Sequence, residues 1–105
     1  MPNIKLNYLY RDAGNYKNYS SVVFGNKDQI SVASVNQIVN KCLIDDEFFY
    51  ANEWQVPDLH FAQWDNDLDH TFHEFESIEL TDEQSNCNLD ISEWLKSLQS
   101  AILAP

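Results

Sequence analysis

Basic residues are scarce in this chain of 105 residues, which holds 6 Lys and Arg against 17 Asp and Glu and carries a formal net charge of -11. Affinity for DNA and RNA rests largely on cationic side chains that neutralise phosphates, so direct nucleic-acid binding over the whole surface is excluded. Glycine and proline are scarce too, at two and three residues, which argues against a disordered or collagen-like chain. Neither glycine belongs to a phosphate-binding loop pattern, so the common nucleotide-binding loops are also excluded.

Cysteine and long apolar runs are equally limited. Cys42 and Cys87 lie far apart and form no C-x-x-C pair, which predicts reduced thiols, with Cys42 in the core. No segment approaches the roughly 18 to 20 consecutive apolar residues that a membrane helix needs. The first residues lack the charged and apolar regions of a signal peptide. We therefore expect a cytoplasmic protein that does not contact a membrane.

The apolar sequence that is present suffices for one core. Hydrophobic residues make up 44% of the chain and aromatic residues 13%. A chain of this length suits a single domain, and no repeat or linker divides it, so the prediction is one domain over residues 1–105.

Periodicity along the chain predicts an α+β fold. Residues 4–11 alternate with the period of a half-buried strand, and a turn over residues 12–15, where Gly14 tolerates positive φ, leads to a second strand over 16–24. Helical spacing predicts one helix over 32–43 with Ser31 as N-cap, and another over 91–103 with Asp90 and Glu93 as a capping-box pair. Between them, residues 48–50 suggest a short strand and residues 71–80 a strand with imperfect alternation. We expect a small antiparallel sheet with an N-terminal β-hairpin and two amphipathic helices packed on one face.

Charge is divided unequally between the two parts of the chain. Residues 1–43 sum to +3, whereas residues 44–105 sum to -14, with no Lys or Arg among eight carboxylates between Asp65 and Glu83. One interpretation is a solvated acidic surface. The other is a surface that steers a basic protein partner, as in inhibitors, antitoxins and immunity proteins. The leading hypothesis is therefore a non-enzymatic binding protein, whose candidate partner-binding residues are Trp64, Asp65, Asp67, Asp69, Glu74, Glu76 and Glu79.

The same segment allows a divalent-metal site as the alternative function. Its acidic residues match four positions of the calcium-loop pattern, but His70 stands where that loop requires glycine. Histidines and carboxylates together also suit zinc, iron or manganese. A strand would place His70 and His73 on opposite faces, which favours histidines that merely hydrogen bond to neighbouring groups. The candidate metal ligands are Asp65, Asp67, Asp69, His70, His73 and Glu74, and no other cofactor is predicted.

Three stretches of the chain resemble short uncharacterised bacterial proteins. They are residues 8–17 (YLYRDAGNYK), residues 23–26 (VFGN) and the later DHxxHEF run over residues 69–75. The resemblance implies a bacterial cytosolic setting and suggests mobile or defence-linked DNA. It carries no assigned activity, so it transfers no functional residue to this chain.

Overall fold

The computed structural model describes residues 2–12, 14–59 and 72–102. In chain order its elements are β1 (Asn3–Arg11), β2 (Lys17–Phe24), α1 (Val32–Cys42), β3 (Phe48–Phe49), β4 (His73–Thr81) and α2 (Ile91–Ile102). The strands form one antiparallel sheet in the order β2-β1-β4-β3. The predicted α+β fold is thereby confirmed, while the predicted helix end at Leu103 lies outside the described residues.

β1 and β2 form the predicted N-terminal hairpin, paired from Ile4 with Phe24 to Arg11 with Lys17. Asp12 closes the turn, because its amide donates to the Tyr16 carbonyl at 3.0 Å and its carboxylate accepts from the Tyr16 amide at 2.9 Å. Positive φ falls on Asn15, at 67°, and not on Gly14 as the sequence suggested. Asparagine tolerates this left-handed conformation better than most residues, so the glycine is not needed for it.

The period of two in β1 divides the sheet into two faces. Ile4, Leu6, Tyr8 and Tyr10 are wholly buried on one side, called here the inner face, whereas Lys5 and its alternate neighbours lie on the outer face. Both helices pack on the inner face, and their buried residues Val35, Val39, Cys42, Trp94, Leu95 and Leu98 join the same core. Burial raises the pKa of the Cys42 thiol, consistent with a structural role. In the described part of the chain, no helix is long and apolar enough to span a membrane.

Both predicted helix starts are confirmed by their hydrogen bonds. The Ser31 hydroxyl accepts from the Ser34 amide at 3.1 Å at the start of α1. At α2 the Asp90 carboxylate accepts from the Ser92 amide at 3.2 Å, and the Glu93 carboxylate accepts from the Asp90 amide at 3.4 Å. This reciprocal arrangement satisfies amides that lack partners within the helix.

β4 contains a β-bulge that explains its imperfect alternation. Its register with β1 pairs Asn7 with Ser77 and then Tyr8 with Phe75, which leaves Glu76 as the extra residue. An extra residue shifts the alternation of side chains between the two faces by one position. Consequently His73 and Ile78 share the inner face although five positions separate them.

Residues 82–90 cross the outer face from β4 to the far edge of the sheet. Lys5 Nζ lies 2.7 Å from Glu83 Oε2 at the start of this crossing. At its end, the Asn86 amide donates to the Val23 carbonyl at 3.1 Å and the Val23 amide donates to Asn86 Oδ1 at 2.8 Å. The amide and carbonyl groups of Val23 therefore point away from β1. Because these directions alternate along each strand, Val23 fixes which residues of the sheet bond to which neighbour.

Tyr8 makes the packing of residues 50–59 against the sheet sensitive to pH. Its hydroxyl donates to the Pro57 carbonyl at 2.7 Å, and its side chain is wholly buried. Burial, together with the weaker effect of the Asp58 carboxylate, raises the pKa of Tyr8 from 10.0 to about 12. Because the unfolded chain ionises first, this contribution is fully present below pH 10 and is lost as the pH rises to about 12.

We expect the free energy of unfolding to fall by roughly 2–3 kcal/mol across that interval through Tyr8 alone, at about 1.36 kcal/mol per unit of pKa. Tyr8→Phe should lower the free energy of unfolding by about 1 kcal/mol at neutral pH, because it removes the hydrogen bond to the Pro57 carbonyl. This variant should lack the alkaline decline. Urea unfolding followed by circular dichroism between pH 7 and about 12 measures both effects. Tyr16→Phe, at an exposed position, should keep the wild-type decline, and an equally steep decline in Tyr8→Phe would contradict the assignment.

Candidate functional site

The structure describes four of the residues that the sequence nominated. Trp64, Asp65, Asp67, Asp69 and His70 fall within residues 60–71, outside the described residues. His73, Glu74, Glu76 and Glu79 all lie on β4. His73 and Glu74 are buried, whereas Glu76 and Glu79 are exposed, so the four do not form one surface.

His73 is part of the core at the start of β4. Its ring is wholly buried, with its centroid 5.2 Å from that of Tyr10 and 5.9 Å from that of Phe49. Nε2 accepts a hydrogen bond from the Leu59 amide at 2.9 Å and lies 3.6 Å from Asp58 Oδ1. An accepting Nε2 carries no proton, so the ring is assigned as the neutral form with its hydrogen on Nδ1. The Leu59 amide thus occupies the nitrogen that would otherwise ligate a metal from this side.

The metal hypothesis therefore depends on residues beyond those described. Among residues 2–12, 14–59 and 72–102, no three His, Cys, Asp or Glu side chains are grouped to hold a metal ion. Of the six nominated ligands, only His73 and Glu74 are described, and each is already engaged within the fold. A divalent-metal site over Asp65, Asp67, Asp69 and His70 remains a prediction.

Glu74 is held by an arginine on the neighbouring strand. Arg11 Nε donates to Glu74 Oε2 at 2.9 Å and Arg11 Nη2 donates to Glu74 Oε1 at 3.3 Å, a two-pronged contact. Arg11 Nη1 also donates to Asn15 Oδ1 at 2.9 Å in the hairpin turn. The carboxylate of Glu74 is consequently committed to joining β4 to the β1–β2 hairpin.

A second acidic feature, which the sequence analysis missed, precedes β3. Asp45 and Asp46 have φ of 53° and 61°, and the Glu47 amide donates to the Ile44 carbonyl at 3.1 Å across this two-residue turn. Consecutive positive φ values characterise the mirror-image turns that join tight hairpins, in which Asp is among the tolerated residues. The signal was a pair of turn-forming residues between Leu43-Ile44 and Phe48-Phe49, and it was overlooked because both flanking runs are short.

The turn lies against β4, next to the bulge. The Glu47 carbonyl accepts from the Phe75 amide at 2.9 Å, immediately before Glu76. The fold thus brings carboxylates from two distant stretches to one margin of the sheet. We call this set of exposed side chains the acidic edge; it comprises Asp45, Asp46, Glu47, Glu76 and Glu79.

A cleft of about 340 Å³ opens at the end of the acidic edge and is lined by Arg11, Glu47, Phe48, Phe72 and Glu74. The rings of Phe48 and Phe72 have their centroids 4.9 Å apart. Aromatic walls beside the exposed Glu47 carboxylate suit the long stem and charged end of a lysine or arginine side chain. Phe72, immediately before β4, thus forms one wall of this cleft.

At the other end of the acidic edge, Lys5 interacts both with Glu79 and with Glu83 in the segment over residues 82–90. The hydrogen bond to Glu83 raises the pKa of Lys5, and Glu79 adds a smaller effect of the same sign. The same bond lowers the pKa of Glu83, with a further contribution from Thr81. The Lys5 ammonium group therefore attracts the carboxylates of both Glu83 and Glu79.

Comparison with known proteins adds no constraint on the role of this surface. No protein family, curated protein or solved structure gives a significant match to the chain. Inferences about function therefore rest on the geometry and charge of the described residues.

Proposed function

We propose that this chain is a small non-enzymatic binding protein that docks on a basic protein partner through the acidic edge. The observation that carries the proposal is the local imbalance of charge. Five exposed carboxylates lie along this margin, while the two cations of β1 beside it, Lys5 and Arg11, are hydrogen bonded to Glu83 and Glu74. The edge therefore presents more negative charge than its neighbours on β1 offset.

Stability of the fold does not account for this arrangement. Like charges on a surface repel one another and slightly destabilise the compact state, and exposed ion pairs contribute little. A fixed negative surface does attract a positively charged protein and raises its association rate, an effect that weakens as salt increases. Binding of a basic partner would therefore make use of this negative charge, whereas folding gains nothing from it.

The cleft at the end of the acidic edge supports the same partner chemistry. Binding energy at protein interfaces concentrates in aromatic and arginine contacts near pockets. Phe48 and Phe72 are half-buried there, and the exposed Glu47 carboxylate lies beside them. A lysine or arginine from the partner would find both apolar contact and a countercharge.

The test compares two double variants that remove the same amount of charge. Glu76→Gln with Glu79→Gln changes the acidic edge, whereas Glu53→Gln with Glu93→Gln changes exposed carboxylates elsewhere and leaves Gln in the capping box of α2. The immobilised chain is exposed to an extract of the native host, and each retained protein is then purified and titrated at low and high salt.

We expect a basic protein whose affinity falls at least tenfold for the edge variant and by less than threefold for the control. Its affinity should also decrease steeply between low and high salt. Equal losses in both variants would show that net charge alone matters, and retention of no basic protein at low salt would overturn the proposal.

A further inference from the structure

Among the described residues, backbone partners on the outer edge of β4 occur only near the start of the strand. β3 pairs with β4 only at Glu74 and His73, and the Glu47 carbonyl binds the Phe75 amide just beyond. Over residues 77–81, no residue in the described ranges forms backbone hydrogen bonds to β4 from the side opposite β1. An unpaired edge of this kind can accept an added strand.

The direction of the hydrogen bonds identifies which backbone groups are available. Val23 faces away from β1, so its register partner Lys5 faces β4, and Glu79, opposite Lys5, faces β1. Alternation then turns the amide and carbonyl groups of Ile78 and Leu80 outwards. Two donors and two acceptors are thereby presented along the open edge.

The side chains along this edge alternate in chemistry. Glu79 is exposed on the outer face, whereas Ile78 and Leu80 belong to the inner face. Leu80 is nevertheless 53% exposed and borders a depression of about 190 Å³, whose lining also includes Pro2 and Ile30. An added strand would meet a carboxylate on one face and an apolar wall on the other.

We propose that residues 77–81 bind an extended segment of the basic partner by strand addition, with Lys or Arg opposite Glu79 alternating with apolar residues beside Leu80. This inference rests on the proposed function and names the mode of recognition. A second copy of the chain fits less well, because like charges on adjacent strands are destabilising and self-pairing would bring acidic edges together.

The probe is a capped eight-residue peptide of alternating Lys and Val, compared with a peptide of the same composition in which four Lys precede four Val. Binding is measured by fluorescence anisotropy, and hydrogen exchange of individual amides is followed by NMR in the wild-type chain. We expect the alternating peptide to bind at least tenfold more tightly than the block peptide. It should also slow exchange of the Ile78 and Leu80 amides at least tenfold.

Proline variants test the backbone contacts directly. Leu80→Pro removes an outward amide without removing a bond to β1, and should weaken binding of the alternating peptide at least tenfold. Tyr19→Pro removes an outward amide on β2, at the opposite edge, because residue 19 has the same parity as Val23, and should leave binding within twofold. The exchange measurement on wild type keeps the test decisive if either variant unfolds.

Three outcomes would overturn strand addition. Equal binding of both peptides without protection at Ile78 and Leu80 would show that the peptides bind the charged surface without adding a strand. The proposed function would then stand, and strand addition would not. Binding of neither peptide would also refute the inference, while the partner isolated from the host extract would still test the proposed function. Protection that rises with protein concentration alone would identify a second copy as the occupant.

Discussion

Replacing Trp94 with alanine should lower the free energy of unfolding by about 3–5 kcal/mol, the range for large-to-small aromatic substitutions in a core. Trp94 is wholly buried on α2, stacks on Phe24 with a centroid distance of 4.5 Å, and meets Trp54 edge-on at 5.7 Å. Its indole Nε1 also donates to the Trp54 carbonyl at 2.7 Å. The substitution therefore removes packing between α2, the sheet and residues 50–59 at once, and leaves a buried carbonyl without its donor.

Total stabilities of about 5–15 kcal/mol are usual for domains, so this loss is a large fraction of the total. Urea titration followed by far-ultraviolet circular dichroism measures it without relying on the fluorescence of the removed indole. Lys96→Ala, on the exposed side of the same helix, should change stability by less than about 0.5 kcal/mol. Trp94→Phe should fall between the two, and a Trp94→Ala loss below about 1.5 kcal/mol would contradict the packing described.

His73→Ala should cost about 3 kcal/mol, because it removes a buried ring and the acceptor of a buried amide together. The ring contacts Tyr8, Tyr10 and Phe49, and Nε2 is the acceptor for the Leu59 amide. His73→Phe separates the two causes, since it refills the space but leaves the amide unbonded. We expect it to recover part of the loss and to remain about 1–2 kcal/mol below wild type.

Thermal and urea unfolding of the two His73 variants provide the measurement. Stability of His73→Ala within about 0.5 kcal/mol of wild type would show that the histidine is not part of the core. The same burial decides how a metal site must be tested. A melting temperature lowered by His73→Ala reports lost packing whether or not metal is present, so a metal test in zinc, manganese or calcium should use His70→Ala.

Local signals were sufficient for most of the secondary structure. Ser31, Asp90 and Glu93 mark helix starts because their contacts involve residues within three positions, and the alternation of residues 4–10 marks a strand with one buried face. Such short-range interactions are encoded in adjacent residues and can be recognised without knowledge of the rest of the fold.

The candidate site depended on contacts that no local pattern encodes. His73 is buried because the Leu59 amide, 14 positions earlier, supplies its partner, and Glu74 is engaged because Arg11 lies 63 positions away. The turn at Asp45 and Asp46 joins Glu76 at one margin only after β3 pairs with β4. Sequence spacing located the acidic region in general, but long-range pairing determined which carboxylates reach the surface.

The order of strands has a consequence for the newly synthesised chain. β1 pairs with β2 immediately after it but also with β4, so that Asn7 and Ser77 bond across 70 positions. At about 5–20 residues per second, translation separates these strands by several seconds. During that time the edge of β1 that pairs with β4 in the folded protein lacks its native neighbour. The nascent chain therefore passes through a stage at which the β1–β2 hairpin has an unpaired edge, and a chaperone that shields this hairpin would increase the yield of folded protein.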